Sequence, residues 1–291
     1  MTGRGEAKSE WRMGIGNFSM HLIYYPFSRP QFSEKTMRYP QLQRLKIGCV
    51  QYLNSVPLIC AYDGNVVFEH PSRLSAMLDA RELDVALVPV FELFRKREYK
   101  IADGISISSR GRVYSVFLAF QGELESIRQV SLDPASLTSA NLLRCILAEF
   151  HGLKPDYTRS ELPDHPANAR LLIGNQAIDF RRKNNGSWNY LDLGEEWKKQ
   201  TGLPFVYAIW LFNSAVENAG ASAEALRQMK REGMARIPEI CGEDPEFRLD
   251  YLKNCIRYEL GDEEKAGMRR FGELLQKHGL VENGAGDFDF V

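Results

Sequence analysis

No apolar run in this chain approaches the roughly 20 residues that a bilayer-crossing helix needs, so no membrane partner is expected. Cysteine is scarce. The five present (Cys49, Cys60, Cys145, Cys241, Cys255) are scattered and form no Cys-x-x-Cys pair, which excludes a disulfide framework and points to reduced thiols in a cytoplasmic protein. Cys49 and Cys145 lie inside apolar runs and read as core residues. Histidine is equally thin, and His21, His70, His151, His165 and His278 show no metal-ligand spacing. Neither a metal nor any other cofactor is therefore expected. An excess of charge is also missing: 37 Lys and Arg against 38 Asp and Glu leave a net charge of -1. That balance argues against a nucleic-acid partner, while leaving room for a local cationic pocket. No repeat, low-complexity tract, Ser-His-Asp arrangement or catalytic carboxylate pair stands out.

What is present is an ordinary globular composition, 44% hydrophobic and 26% charged over 291 residues, enough for one large or two modest domains. Apolar runs predict strands near residues 46–51, 66–69, 84–88, 101–107, 113–119, 129–133, 170–174, 189–192 and 205–212. They alternate with helical periodicity, which gives an α/β class with mostly parallel sheets. After Asn213 only helices are expected, centred on Leu226 and Met229, on Leu252 and Ile256, and on Met268, Phe271 and Leu275. Gly279 supplies the last stop. Residues 1–44 read as a disordered extension. Their partly apolar stretch, Met13 to Phe27, is interrupted by Gly, Asn, Ser and His, and fits a secretory signal poorly. Met37 offers an alternative start.

Candidate ligand contacts concentrate in loops at the carboxyl ends of strands, where open α/β sheets bind small molecules. The run Leu45-Lys46-Ile47-Gly48-Cys49-Val50-Gln51-Tyr52-Leu53-Asn54-Ser55-Val56-Pro57 is a strand, a polar loop and a Pro-initiated helix. It offers Tyr52, Asn54 and Ser55. Asp84 to Glu92 is a buried strand followed by a helix with Glu92 in its first turn. The segment Gly104 to Val116 offers Ser108, Ser109, Arg112 and Ser115. Ser136-Leu137-Thr138-Ser139 opens a helix with hydroxyls at three of four positions. A helix start favours an anion, and one hydroxyl would suffice as a cap, so the others remain for a ligand. Arg170 to Gly174 is a further buried strand, ending in Asn175-Gln176.

With Asp192-Leu193-Gly194-Glu195-Glu196-Trp197, Thr201-Gly202-Leu203-Pro204-Phe205-Val206-Tyr207-Ala208 and Ile256-Arg257-Tyr258-Glu259-Leu260-Gly261, these segments resemble, in order, the chorismate dehydratases of the futalosine route to menaquinone. The resemblance runs from about Leu45 to Leu280. Like the pattern of elements, it implies a two-lobed periplasmic-binding-protein type 2 fold with a helical C-terminal segment. Crossings at Val113 to Ala119 and Phe205 to Phe212 would divide it into lobe one (residues 45–112 and 211–291) and lobe two (residues 113–210). The function implied is dehydration of chorismate to 3-[(1-carboxyvinyl)oxy]benzoate by a hydro-lyase, a monomer or homodimer.

On that reading Asn54, Ser115 and Glu92 are the candidate catalytic residues. Tyr52, Ser55, Ser108, Ser109, Arg112, Ser136, Thr138, Ser139 and Asn175 are candidate substrate contacts. The start of the helix at Thr138 and Ser139 would take a substrate carboxylate, with Asn54 contacting it from the other lobe. Three bases stand open: Glu92, His70, and the substrate's own enolpyruvyl carboxylate. Asn175-Gln176 departs from the family, where an acidic residue commonly follows the Ile-Gly pair. Asp192, Glu195 and Glu196 fit a helix start. Trp197 and Trp210 would either wall the cleft or fill the core. Rival readings are the dihydroxynaphthoate-forming sister lyase, whose Ser-Pro-Cys-Pro-Asn-type first loop differs from Gln51-Tyr52-Leu53-Asn54-Ser55, and a solute-binding or ligand-sensing protein.

Overall fold

A computed structural model describes residues 38–96, 98–134, 136–159, 168–184, 186–242, 244–284 and 286–291. Its strands are β1 (Ile47–Cys49), β2 (Val66–Phe68), β3 (Val85–Pro89), β4 (Lys100–Ser109), β5 (Val116–Phe120), β6 (Gln129–Leu132), β7 (Asp156–Arg159), β8 (Ala169–Ile173), β9 (Asn189–Asp192), β10 (Phe205–Phe212) and β11 (Asp289–Phe290). The helices are α1 (Val56–Ile59), α2 (Pro71–Asp79), α3 (Glu92–Arg95), α4 (Thr138–Phe150), α5 (Gly174–Lys183), α6 (Leu193–Thr201), α7 (Ala219–Ala235), α8 (Ile237–Ile240), α9 (Pro245–Asp250) and α10 (Asp262–Lys277).

Among the described residues two sheets form, in the orders β11-β4-β10-β3-β1-β2 and β7-β6-β8-β5-β9. All five residues of β3 are buried, as its unbroken apolar run requires. The sheets are mixed, where mostly parallel ones were expected. Strand β10 runs antiparallel to β3 and β4, and β5 antiparallel to β8 and β9. These strands lie in the two stretches read as crossings, where the chain leaves the first sheet after β4 and returns to it in β10. Strand β10 pairs with β4 from Phe205 and with β3 from Ala208, so the whole strand belongs to the first sheet.

The C-terminal segment is mainly helical, but β11 adds two residues parallel to β4, where only helices were expected. Strand β7 was also missed, since Asp156–Arg159 is a largely exposed edge with no apolar alternation to announce it. Trp197 and Trp210 are fully buried core residues and do not wall the cleft. Trp197 stacks edge-on against Phe205 at 5.2 Å and Phe271 at 6.2 Å, tying α6, β10 and α10 together.

Residues 38–44 correct the expected extension. Tyr39 and Leu42 are buried, the Tyr62 hydroxyl donates to the Leu42 carbonyl at 3.1 Å, and Arg38 pairs with Glu232 at 3.4 Å. The remainder of that extension, with Met13 to Phe27 and Met37, lies outside the described residues. No helix among the described residues is long and apolar enough to cross a membrane.

Candidate active site

After β1 the chain turns through Leu53–Ser55 into α1, with Pro57 in its first turn. The Ser55 hydroxyl lies 2.7 Å from the Val50 carbonyl and 2.8 Å from that of Tyr52, so it shapes the loop and faces no ligand. Tyr52 and Asn54 are left facing a cleft of about 600 Å3, solvent-open space included. From the other sheet, α5 reaches the same loop. The Leu53 amide donates to Asn175 Oδ1 at 3.1 Å. Gly174, at φ +62°, brings its backbone against the Tyr52 ring, where a Cβ would sit 3.0 Å from the ring atoms. Asn175 thus fastens the loop and does not line the cleft.

The opposite wall is the start of α4. Its first residue is Thr138, and Leu137 precedes it with no side chain capping the exposed amides. Ser136, Thr138 and Ser139 all line the cleft and are all buried. Thr138 Oγ1 accepts from the Phe91 amide at 3.2 Å, yet its own hydrogen stays available. Ser136 Oγ is buried and has no partner among the described residues, and the same holds for Asn54 Oδ1. Buried polar atoms are normally satisfied. Two orphans in one cleft, beside the uncapped amides and positive dipole end of a helix, describe a place for a polar ligand.

The rest of the lining is apolar, including Val50, Leu87, Val88, Ile107, Val116 and Ile173, and no described lining residue is charged at neutral pH. Tyr207 also lines it, a residue that the sequence reading quoted but assigned no role. Its hydroxyl lies 3.2 Å from Ser109 Oγ, and burial pushes the phenol well above its usual pKa.

Several expected contacts are held elsewhere. Ser108 Oγ donates to the Arg257 carbonyl at 3.2 Å and lies 3.1 Å from Ser106 Oγ. Ser115 Oγ accepts from the Tyr251 hydroxyl at 2.8 Å. Arg112 is half-exposed beside Asp250 at 3.8 Å, its guanidinium 5.3 Å from the centre of the Tyr114 ring. Arg110 pairs with Glu263 at the surface. Glu92 is buried outside the cleft lining and accepts from Arg95 at 3.2 Å. Burial raises its pKa against the pull of Arg95. His70 is exposed at the start of α2.

Asp192 acts as a structural clamp. It accepts from Gly194 and Glu195 at the start of α6 and from the Val113 and Tyr114 amides at 3.0 and 2.8 Å. Tyr114 adopts φ +67° there, strained for a residue with a side chain. Gln176 hydrogen-bonds Asp133. No group of three or more metal-ligating side chains occurs among the described residues.

Two mixed sheets with such a cleft and a helical C-terminal segment make this a protein of periplasmic-binding-protein fold. Solved structures agree. A protein from Archaeoglobus fulgidus superposes with a TM-score of 0.60 at 16% identity, over 81% of this chain and 98% of its own. A Candida albicans gene product with the generic periplasmic binding protein fold gives 0.57 at 11%, over 84% and 92%. The periplasmic aliphatic sulphonate binding protein of Escherichia coli gives 0.53 at 14%, over 83% and 89%. The menaquinone-biosynthesis family model matches residues 45–277, and the chain belongs to that family. A chorismate dehydratase of Thermus thermophilus is 30% identical over 79% of this chain and 94% of its own length. Another, of Campylobacter jejuni, is 26% identical over 76% and 88%.

Proposed function

We propose that this chain is a chorismate dehydratase, a cytoplasmic carbon-oxygen hydro-lyase of the futalosine route to menaquinone. The observation that carries the reading is the likeness to relatives of that name over most of both chains, within a family defined by menaquinone biosynthesis. The cleft supports it. Chorismate carries two carboxylates and a ring hydroxyl. The start of α4 suits one carboxylate, with Ser136, Thr138 and Ser139 as donors. The apolar walls suit the ring.

Dehydration breaks the C–H bond at ring position 3 and the C–O bond at position 4, releasing one water and leaving an aromatic ring. The departing proton is acidic through the ring double bond, so charge develops on the ring carboxylate. Donors fixed at that carboxylate stabilise the transition state beyond the substrate, and removal of one such donor costs roughly a hundredfold to a thousandfold in rate. The base is the substrate's enolpyruvyl carboxylate, which hangs from the same ring carbon. In support, no described residue lining the cleft carries a carboxylate or an imidazole, and Glu92 and His70 lie outside it. Residues 113–204, and residues 45–112 with 205–291, act as two lobes that close over the ring and keep water out.

Incubation of purified protein with chorismate, without nucleotide and with EDTA present, tests the reading. Chorismate should disappear as a benzoate lighter by one water appears. Chorismate bound and released unchanged would sink the enzyme reading in favour of a binding protein.

A further inference from the structure

The chain leaves β4 for β5 through a reversal that few residues with side chains tolerate. The Ser115 amide donates to the Val113 carbonyl at 2.8 Å, which closes a three-residue γ-turn about Tyr114. With φ at +67°, Tyr114 takes the rare, strained form of that turn. The residues beside it shape the cleft. Val113 and Val116 line it, and the Ser115 carbonyl accepts from the Gly174 amide at 2.8 Å. Gly174 in turn presses on the Tyr52 ring. Strain of this kind persists only where the surroundings over-determine it. Asp192, buried at the start of α6, supplies the restraint. One of its oxygens accepts from the Gly194 and Glu195 amides, each at 3.1 Å, and from the Val113 amide at 3.0 Å. The other accepts from the Tyr114 amide at 2.8 Å and pairs with Arg181 at 3.8 Å. A helix start needs one acceptor oxygen, and Asn serves there as well as Asp. The second oxygen is surplus to capping and is committed to the strained turn.

We propose that Asp192 is a positioning residue for the reaction: by holding the γ-turn at Tyr114 it sets the wall of Val113, Val116 and Gly174 against which the substrate ring lies. This assignment rests on the dehydratase reading and deepens it. Asp192 itself lies outside the cleft lining. It acts through the backbone, where residues 110–115 carry the chain from the first sheet to the second. The start of α4 holds the acid end of the substrate independently, so the turn governs the orientation of the ring more than affinity. Orientation of the reacting bonds is where a small displacement costs rate.

The test is Asp192→Asn, with kinetics on chorismate expressed per folded protein. The asparagine keeps one oxygen for the α6 amides and turns an N–H donor toward the Tyr114 amide. The value of kcat should fall at least about tenfold while KM stays within about threefold of wild type. Wild-type kcat, or a loss confined to KM, overturns the proposal. Tyr114→Gly should then rescue the defect, because glycine takes a positive φ unaided. The double variant Asp192→Asn/Tyr114→Gly should return to within about threefold of Tyr114→Gly alone, since the two residues act as one unit. A double variant as slow as Asp192→Asn would leave Asp192 a helix cap and nothing more, which overturns the proposal. If Asp192→Asn does not fold, Tyr114→Val against Tyr114→Gly decides, since both remove the ring and only glycine accepts the turn. Tyr114→Val should be at least about tenfold slower in kcat than Tyr114→Gly, and equal rates contradict the proposal. Wild-type protein that leaves chorismate unchanged would overturn the dehydratase reading and this assignment together, whereas active wild type with an unaffected Asp192→Asn overturns this assignment alone.

Discussion

Two hydroxyl-rich segments look alike in the sequence and behave differently in the fold. Ser106, Ser108 and Ser109 lie on β4. There Ser106 and Ser108 reach the backbone of residues 257–259, and Ser109 meets the Tyr207 hydroxyl. Ser136, Thr138 and Ser139 lie at the start of α4, where Ser136 Oγ meets no group among the described residues and all three face the cleft. Both segments are buried. The difference is where their hydrogen bonds go. A hydroxyl satisfied within the protein contributes about 1 kcal/mol to folding, whereas one left unsatisfied costs about as much or more until a ligand arrives. Density of serine marks neither role by itself.

The largest expected effect separates the two walls of the cleft from everything else. Ser139→Ala should lower turnover on the order of a hundredfold, as loss of a group aimed at developing charge requires, and Asn54→Ala should lower it as well, both with unfolding transitions close to wild type. Wild-type kinetics in both would place the site elsewhere. The structural segment should answer in the opposite currency. Ser106→Ala should lose about 1 kcal/mol in denaturant unfolding while kcat stays put, because its hydroxyl faces the Glu259 carbonyl. A fall in kcat without loss of stability would erase the contrast.

Asn175 tests the junction between the walls. Asn175→Asp keeps the acceptor for the Leu53 amide and should retain activity, whereas Asn175→Leu should raise KM several-fold, about what one hydrogen bond is worth. Equal behaviour of the two variants would remove its role as a fastener.

The smallest effect concerns Glu92, whose pKa burial raises. In the folded protein this carboxyl keeps its proton to higher pH than in the unfolded chain. From the ordinary glutamate range upward the unfolded state therefore binds fewer protons, and stability falls as pH rises through the folded pKa. Glu92→Gln should lose that portion of the pH dependence and keep turnover. Collapse of activity with binding intact would identify Glu92 as the base.

Much of this arrangement was legible in the sequence, because strand ends are announced by local signals. The run Val85–Val88 with Pro89, and Pro57 after the Tyr52–Ser55 cluster, placed β3 and the first loop. The hydroxyls before Leu142 and Leu143 placed α4. What escaped were features decided by distant partners. Ser108 is spent on Arg257, 149 residues away in the chain. Tyr251 reaches Ser115 only through a π turn, for which the helical period leaves no sign. Tyr39 and Leu42 lacked periodicity because a short irregular segment buries them beside Tyr62 and α7. Asp192 looked like a helix cap, and it is one, but its second oxygen also holds Tyr114.

The most direct measurement sets one serine from each segment side by side: kcat/KM for chorismate in Ser136→Ala and in Ser108→Ala, with folded fraction matched by unfolding curves. Ser136→Ala should fall on the order of a hundredfold, and Ser108→Ala should stay within about threefold of wild type. Equal losses, or the larger loss in Ser108→Ala, would contradict the assignment of the open hydroxyls of α4 to the substrate.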